Sequence, residues 1–479
     1  MKTQDETREK KMAAAPGTME EDTIAAIATA VGKAGIGIVR ISGPDAFSIA
    51  QAVFRPTGTP LSRTDDRKLR YGHIICGEKI IDEVLVSFMR GPHTYTAEDV
   101  VEINAHGGAL SVRRILALVL EKGARFAERG EFTRRAFLNG RIDLAQAEAV
   151  RDVIDAQTTR AHEQAVKQLD GKLSKEINRI KDSVLKLLAE MEYGINFMED
   201  AQEELPQEPM QNAARAILTS MDALLSSAAR GRLLREGIAT AIVGSPNVGK
   251  SSLLNALLCE SRAIVTDIPG TTRDSIEESY DLDGILLRLI DTAGIRETED
   301  RVEAIGVERS RALMREADLI LLVLDTARVP QKQDDELVAE AAAGTALLLL
   351  NKSDQPTADA FAQKLAQWKA QYPALSWLEI SAKTGAGLSR LEETIRDLFF
   401  EGAVENAPPA ALTNLRQTEL VRKSRNEVQQ TLEDLERGVV LDAVEVSLRS
   451  AYRYLCEVTG ESMDEKVLDR IFQSFCVGK

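Results

Sequence analysis

One octapeptide limits what this chain can fold into more than any other feature. Gly244-Ser245-Pro246-Asn247-Val248-Gly249-Lys250-Ser251 fits G-x-x-x-x-G-K-[ST], follows the strand-like GIATAIVG and opens the helix-like SSLLNALL. Such a loop wraps phosphate in backbone N–H groups at a helix N-terminus. Its lysine, Lys250, reaches the β- and γ-phosphates, and Ser251, followed by Ser252, offers a hydroxyl to Mg²⁺. The bland reading is a glycine-rich turn carrying a surface lysine, but a bland turn does not require a strand before it and a helix after it. Strand and helix patterns alternate from 237 to about 400, which predicts an α/β domain over 236–400.

Three further motifs stand in a fixed order within that domain. Asp291-Thr292-Ala293-Gly294 follows the strand-like ILLRLID, placing Asp291 as a Walker-B aspartate near Mg²⁺ and the Gly294 N–H near the γ-phosphate. Asn351-Lys352-Ser353-Asp354 closes ALLLL, and the Asp354 carboxylate can accept from both N1–H and the exocyclic amine of guanine, a pair that adenine lacks. Ser381-Ala382-Lys383 after LEI supplies a loop for the other side of the base. Between phosphate loop and DTAG, the segment IVTDIPGTTRD carries Thr266, Asp267, Ile268, Pro269, Gly270, Thr271 and Thr272, a switch I region with Thr272 as the second Mg²⁺ hydroxyl. The set resembles the translation-factor-related P-loop GTPases. Ile295 follows Gly294 where Ras-type enzymes place a water-orienting glutamine, so another group must do that work.

The rest of the chain gives this domain its setting. Residues 36–41 (IGIVRI), 80–89 and 100–103 read as strands, 44–54 and 109–121 as helices, and together they predict a small α+β domain over 23–136. Apolar residues at three and four spacing, as in Leu169, Leu173, Ile177, Ile180, Val184, Leu187 and Leu188, predict long helices over 137–235, interrupted by an acidic, proline-containing loop at 199–209. The stretch 401–410 reads as a linker, helical periodicity returns from 414 to 475, and 401–479 reads as the second part of the helical domain. An α/β domain with close termini is readily inserted into another domain, so the chain reads as a discontinuous helical domain hosting the α/β insert.

Net charge is −15, from 60 basic against 75 acidic residues, which argues against broad nonspecific nucleic-acid binding. No apolar run approaches the ~20 residues of a bilayer span, and the first twenty residues carry charges of both signs without an apolar core, so residues 1–22 read as a disordered extension rather than a secretory signal; Met12 and Met19 are alternative starts. Four scattered cysteines, without framework or zinc spacing, point to a cytoplasmic chain with free thiols. Cys76, Cys259 and Cys456 read as core thiols. All four histidines fall in the first third, so catalysis further along does without histidine.

Several segments then resemble the tRNA modification GTPase MnmE (TrmE) family: GIGIVRISGP, GPHTYTAEDVVEINAHGG, GEFTRRAFLNGRIDLAQAEAV, the nucleotide motifs, and the terminal RIFQSFCVGK. This chain has Arg129 before Gly130 where the family commonly has proline. The resemblance implies a folate-binding-like N-terminal α+β domain that forms the homodimer, a helical domain and a Ras-like GTPase domain. It further implies a K⁺-assisted GTPase, in which Asn247 and backbone oxygens of Thr266, Ile268 and Thr271 hold K⁺, and Glu303 positions water. A 5-formyl-tetrahydrofolate or related folate would be bound by Arg40, Glu102, Arg141 and Lys479. The implied partners are tRNA and a flavin-dependent protein of the MnmG type, with which the chain would form a heterotetramer adding an aminomethyl or carboxymethylaminomethyl group at C5 of the wobble uridine. Cys476, in SFCVGK, is a candidate nucleophile toward uracil C6, with a buried structural thiol as the alternative. His106 reads as a structural histidine or a lining of the folate pocket. Two competing readings come from other classes: a ribosome-associated regulatory GTPase acting as a binding switch, and a helical scaffold at a membrane.

Overall fold

The computed structural model describes residues 22–30, 32–60, 65–198, 207–259, 263–264, 278–290, 311–400 and 411–478. The chain divides into two compact units, 1–151 with 459–479, and 152–458.

In the first unit seven strands form one sheet: β1 (Ile24–Ile27), β2 (Ala34–Ser42), β3 (Phe54–Pro56), β4 (Leu69–Cys76), β5 (Lys79–Met89), β6 (Val100–Gly107) and β7 (Arg125–Phe126), in the order β3-β4-β5-β6-β2-β1-β7. All neighbours are antiparallel except the β1–β7 pair. Helices α1 (Ala46–Val53) and α2 (Ala109–Glu121) contribute Ile49, Val53, Val112, Ile115 and Val119 to a core shared with Val39, Ile41, Val84, Val86, Val101 and Ile103. Alternation along β5, with Val84, Val86 and Phe88 inward and Leu85 exposed, is the period-2 signature of a sheet covered on one face. The α1 segment begins two residues later than its sequence pattern suggests, and Phe54 leaves the helix to start β3. Helices α3 (Glu131–Leu138), α4 (Leu144–Asp155) and α15 (Glu465–Phe472) enclose a second core of Ala136, Leu144, Ala147, Phe472 and Phe475.

The second unit combines helices α5 (Thr159–Leu169), α6 (Lys172–Met198), α7 (Gln207–Ser226), α8 (Ala228–Glu236), α13 (Leu415–Glu436) and most of α14 (Leu441–Thr459) with the α/β segment. The long helices expected here divide just after Leu169: Gly171 takes a left-handed φ of 77° and separates α5 from α6, which buries Leu173, Ile177, Ile180, Val184 and Leu187. Of the interruption expected at 199–209, residues 199–206 lie outside the described residues, while 207–209 form the first turn of α7. Pro209 is tolerated there because first-turn N–H groups have no helical acceptor. The 401–410 segment also lies outside. Gln168 donates to Ala411 O at 2.8 Å, and Arg425 pairs with Asp222 at 3.0 Å, so helices from before and after the α/β segment pack as one layer.

Within that segment the sheet runs β14-β13-β12-β8-β11-β10-β9, comprising β8 (Ile238–Val243), β9 (Ala263–Ile264), β10 (Glu278–Leu282), β11 (Ile285–Leu289), β12 (Leu319–Asp325), β13 (Ala346–Asn351) and β14 (Ser376–Glu379). It is parallel from β14 to β11 and antiparallel at the β10 and β9 edge. Leu319, Leu321 and Val323 face one core while Ile320, Leu322 and Leu324 face another, which explains why β12 reads as an unbroken apolar run. Helices α9 (Lys250–Cys259), α10 (Lys332–Ala341), α11 (Asp359–Gln371) and α12 (Leu388–Phe400) complete the segment. Strand order reverses at β8, between β12 and β11. The loop beyond its carboxyl end therefore lies where such sheets open a binding crevice.

Candidate functional site

That loop is the octapeptide of the sequence. Gly244 follows β8 and Lys250 opens α9, with Asn247 at φ 60° and Gly249 at φ 104°. A Cβ on Gly249 would stand 2.2 Å from Asn351 Nδ2, so only glycine lets the loop pass so close to the β13 end. Lys250 Nζ donates to Gly244 O and Ser245 O, both at 2.8 Å. Burial, with a smaller contribution from the nearby Arg328 charge, lowers its pKa to about 8. Val248 is buried, whereas Ser251 and Ser252 are exposed at the first turn of α9, where a hard hydroxyl oxygen suits Mg²⁺.

The base-reading loops converge on the same edge. Asn351, almost fully buried, donates through Nδ2 to Val248 O at 2.8 Å and accepts through Oδ1 from Ala382 N at 3.0 Å. One amide thus ties the phosphate loop to the Ser381-Ala382-Lys383 loop. Ser381 Oγ donates to Asp354 Oδ1 at 2.7 Å, and this bond holds the Asp354 carboxyl below the ordinary carboxylate range. Lys352 Nζ pairs with Asp325 Oδ2 at 2.6 Å, while Lys383 is exposed. Asp325 was not singled out from sequence; its only signal is its place at the end of an apolar strand. Thr266, Asp267, Ile268, Pro269, Gly270, Thr271, Thr272, Asp291, Thr292, Ala293, Gly294 and Glu303 lie outside the described residues.

In the first unit a second constellation forms. Arg40 and Glu102 are register partners on β2 and β6, with Arg40 Nη2 and Nε both 2.8 Å from Glu102 Oε1. Arg40 also donates to Gly478 O at 3.3 Å and lies 5.3 Å from the centroid of the Tyr95 ring. Arg141 approaches the same ring, at 5.0 Å, and donates to Tyr95 O at 2.9 Å. Two of the four residues expected for folate, Arg40 and Arg141, therefore share one aromatic ring, and a third, Glu102, pairs with Arg40; Lys479 lies outside the described residues. Two guanidiniums and a carboxylate suit the carboxylate tail and guanidine-like edge of a folate. Tyr95 was missed as a site residue, although it stands within the GPHTYTAEDVV block.

Two thiol readings need correction. Cys76, expected in the core, is exposed at the last position of β4, directly before the tight turn at Gly77 that leads into β5. Cys476 is exposed rather than a buried structural thiol; its carbonyl accepts from Gly130 N at 3.3 Å and Val477 bridges Arg129. Cys456 is buried as expected, and the Cys259 side chain lies outside the described residues. His106 is exposed, with Nδ1 2.7 Å from Asp82 Oδ1, a hydrogen bond and charge that raise its pKa.

A parallel-centred sheet, a phosphate loop at its switch point and an Asn351–Asp354 loop bonded to the Ser381 loop define a guanine-nucleotide P-loop protein of the GTPase class. A family profile described as "MnmE helical domain" matches residues 144–476, and one described as "GTP-binding protein TrmE N-terminus" matches 23–141. The chain belongs to the MnmE family of tRNA modification GTPases. It is 46% identical over 459 residues to the tRNA modification GTPase MnmE of Finegoldia magna, covering 96% of this chain and 100% of that protein. The Alkaliphilus metalliredigens protein of the same name is 48% identical over 465 residues, with 96% and 99% covered. Among solved structures, Aquifex aeolicus Era bound to GDP and aluminium fluoride matches at 28% identity and a TM-score of 0.27, over 40% of this chain and 66% of that one. The G domain of the T. maritima FeoB iron transporter matches at 27% and 0.25, over 34% and 98%. Among the described residues, no helix is long and apolar enough to cross a membrane.

Proposed function

We propose that this chain is a potassium-dependent GTPase that modifies C5 of the tRNA wobble uridine together with a flavin-dependent partner of the MnmG type. The observation that carries the reading is end-to-end similarity: relatives named tRNA modification GTPase align over 96% of the chain, through the N-terminal sheet and helices as well as the nucleotide loops.

In this reading Asp354 receives N1–H and the 2-amino group of guanine, and Lys250 leaves the carbonyls of Gly244 and Ser245 for the β- and γ-phosphates. Ser251 and Thr272 hold Mg²⁺. The Asn247 amide oxygen, with backbone oxygens of Thr266, Ile268 and Thr271, holds K⁺, which supplies positive charge against the transferring phosphoryl group. Glu303 orients the attacking water in place of the missing glutamine. Arg40, Glu102, Arg141 and Lys479 bind and orient a folate, which supplies the one-carbon unit. The exposed Cys476 is available as a nucleophile toward the base. The chain acts as a homodimer, and opening and closing of its GTPase domains couples hydrolysis to the modification.

GTP turnover with K⁺ or Na⁺ as the sole monovalent cation tests the catalytic part. Hydrolysis faster in K⁺ by on the order of 10²-fold, the scale of one lost electrostatic stabiliser, is expected, with a comparable loss in Glu303→Ala. Equal rates in the two salts would overturn the potassium assignment.

A further inference from the structure

Asp334 lies at the start of α10, outside every nucleotide motif in sequence, yet it is almost completely buried and its two oxygens have different partners. Oδ2 accepts from Gln331 N at 2.9 Å, the bond of a helix-capping acid. Oδ1 accepts instead from Ser245 Oγ at 2.6 Å, and Arg328 Nη2 reaches Oδ1 at 2.9 Å and Oδ2 at 3.1 Å. A cap needs only the first of these bonds and no arginine. Ser245 is itself fully buried, and its carbonyl is one of the two that hold Lys250 Nζ. A continuous chain of contacts thus runs from Arg328 through Asp334 and the Ser245 hydroxyl to the residue whose carbonyl accepts from Lys250 Nζ.

We propose that Asp334, oriented by Arg328, is a positioning residue for the phosphate site: it pins Ser245 and thereby sets the place from which Lys250 engages the nucleotide. The inference rests on the GTPase reading and adds to it a residue pair outside the motifs. Arg328 has two tasks in this arrangement. It neutralises a carboxylate that would otherwise stand buried beside a phosphate site, and it fixes which way Oδ1 points. The same loop anchors the base end as well, since Asp325 pairs with Lys352 and Thr326 Oγ1 donates to Asn351 O at 3.0 Å.

The substitution Ser245→Ala deletes only the pinning hydroxyl and leaves the Asp334–Arg328 pair and the helix cap in place. Binding of a fluorescent GDP and of a non-hydrolysable GTP analogue is measured for the wild type, Ser245→Ala, Lys250→Ala and the double variant, with thermal melting of each. Loss of one hydrogen bond to a charged group predicts roughly tenfold weaker binding of both nucleotides to Ser245→Ala, with melting close to wild type. If Ser245 acts through the lysine, that loss shrinks to less than about twofold in the Lys250→Ala background. Wild-type affinity in Ser245→Ala, or the same loss with and without Lys250, overturns the proposal. Asp334→Ala is the second variant: it is expected to weaken binding at least as much as Ser245→Ala, and undiminished affinity in it also overturns the proposal. Failure of the wild type to bind guanine nucleotide would instead contradict the GTPase reading.

Discussion

At the scale of single residues the site is governed by where charge is buried. Lys250 carries a pKa lowered to about 8 by burial. A bound phosphate favours the ammonium form, so binding is tightest where the free lysine is already protonated. Affinity for GTP is therefore expected to be flat below pH 8 and to fall as pH rises beyond it, approaching about tenfold per unit. Titration of fluorescent-nucleotide affinity between pH 7 and 9.5 checks this, and a flat profile contradicts it. Asp354→Asn exchanges a double acceptor for one acceptor and one donor. Loss of GTP affinity on the order of 10²-fold, with a gain for xanthosine triphosphate, whose C2 oxygen meets the new donor, is the expected outcome in competition binding. These positions were legible because their chemistry demands particular residue types at fixed spacing. Ser245, Arg328 and Asp334 were not, since the sequence separates Asp334 from Ser245 by 89 positions and only the fold closes the gap.

Elements were legible in proportion to how cleanly one face is buried. The stripe of α6 and the helix 109–121 follow from periodicity, whereas β4, with exposed Leu69 and Tyr71, lacks the apolar alternation that would announce a strand. Gly171 shows how one left-handed residue divides a stripe that periodicity alone joins. The start of α3 illustrates what no pattern reveals. Glu131, at its first position, is 3% exposed and accepts from Arg125 Nη2 at 2.5 Å, Glu128 N at 2.7 Å and Arg135 Nη2 at 3.1 Å. Burial pushes its carboxyl up, but Arg125, Glu128 N–H and Arg135 together more than offset that, and the pKa stays below its ordinary 4.5. The group therefore contributes stability above pH 4.5 that is lost as pH falls through the lowered value. Glu131→Ala, which strips a counter-charge from the buried Arg135, is expected to cost about 3 kcal/mol. Urea unfolding at pH 7 measures it, and a change below about 0.5 kcal/mol would contradict the assigned role.

At the scale of the whole chain, the insertion of an α/β segment into a helical layer was legible from the order helices, α/β unit, helices, and the Gln168–Ala411 bond joins the two helical parts. The meeting of Arg40 and Arg141 at Tyr95, with Glu102 paired to Arg40, was not legible from spacing, because it depends on β2–β6 register and on residue 478 returning to Arg40. A phosphate loop and a cationic, aromatic-lined constellation on one chain are compatible with the proposed GTP-driven modification of tRNA. The measurement that tests this most directly is mass spectrometry of wobble nucleosides in tRNA from cells lacking the gene, complemented with the wild type or with Lys250→Ala. The account predicts loss of C5 aminomethyl-type uridines, restored by the wild type alone. Unchanged nucleosides in the deletion strain, or full restoration by Lys250→Ala, would contradict it.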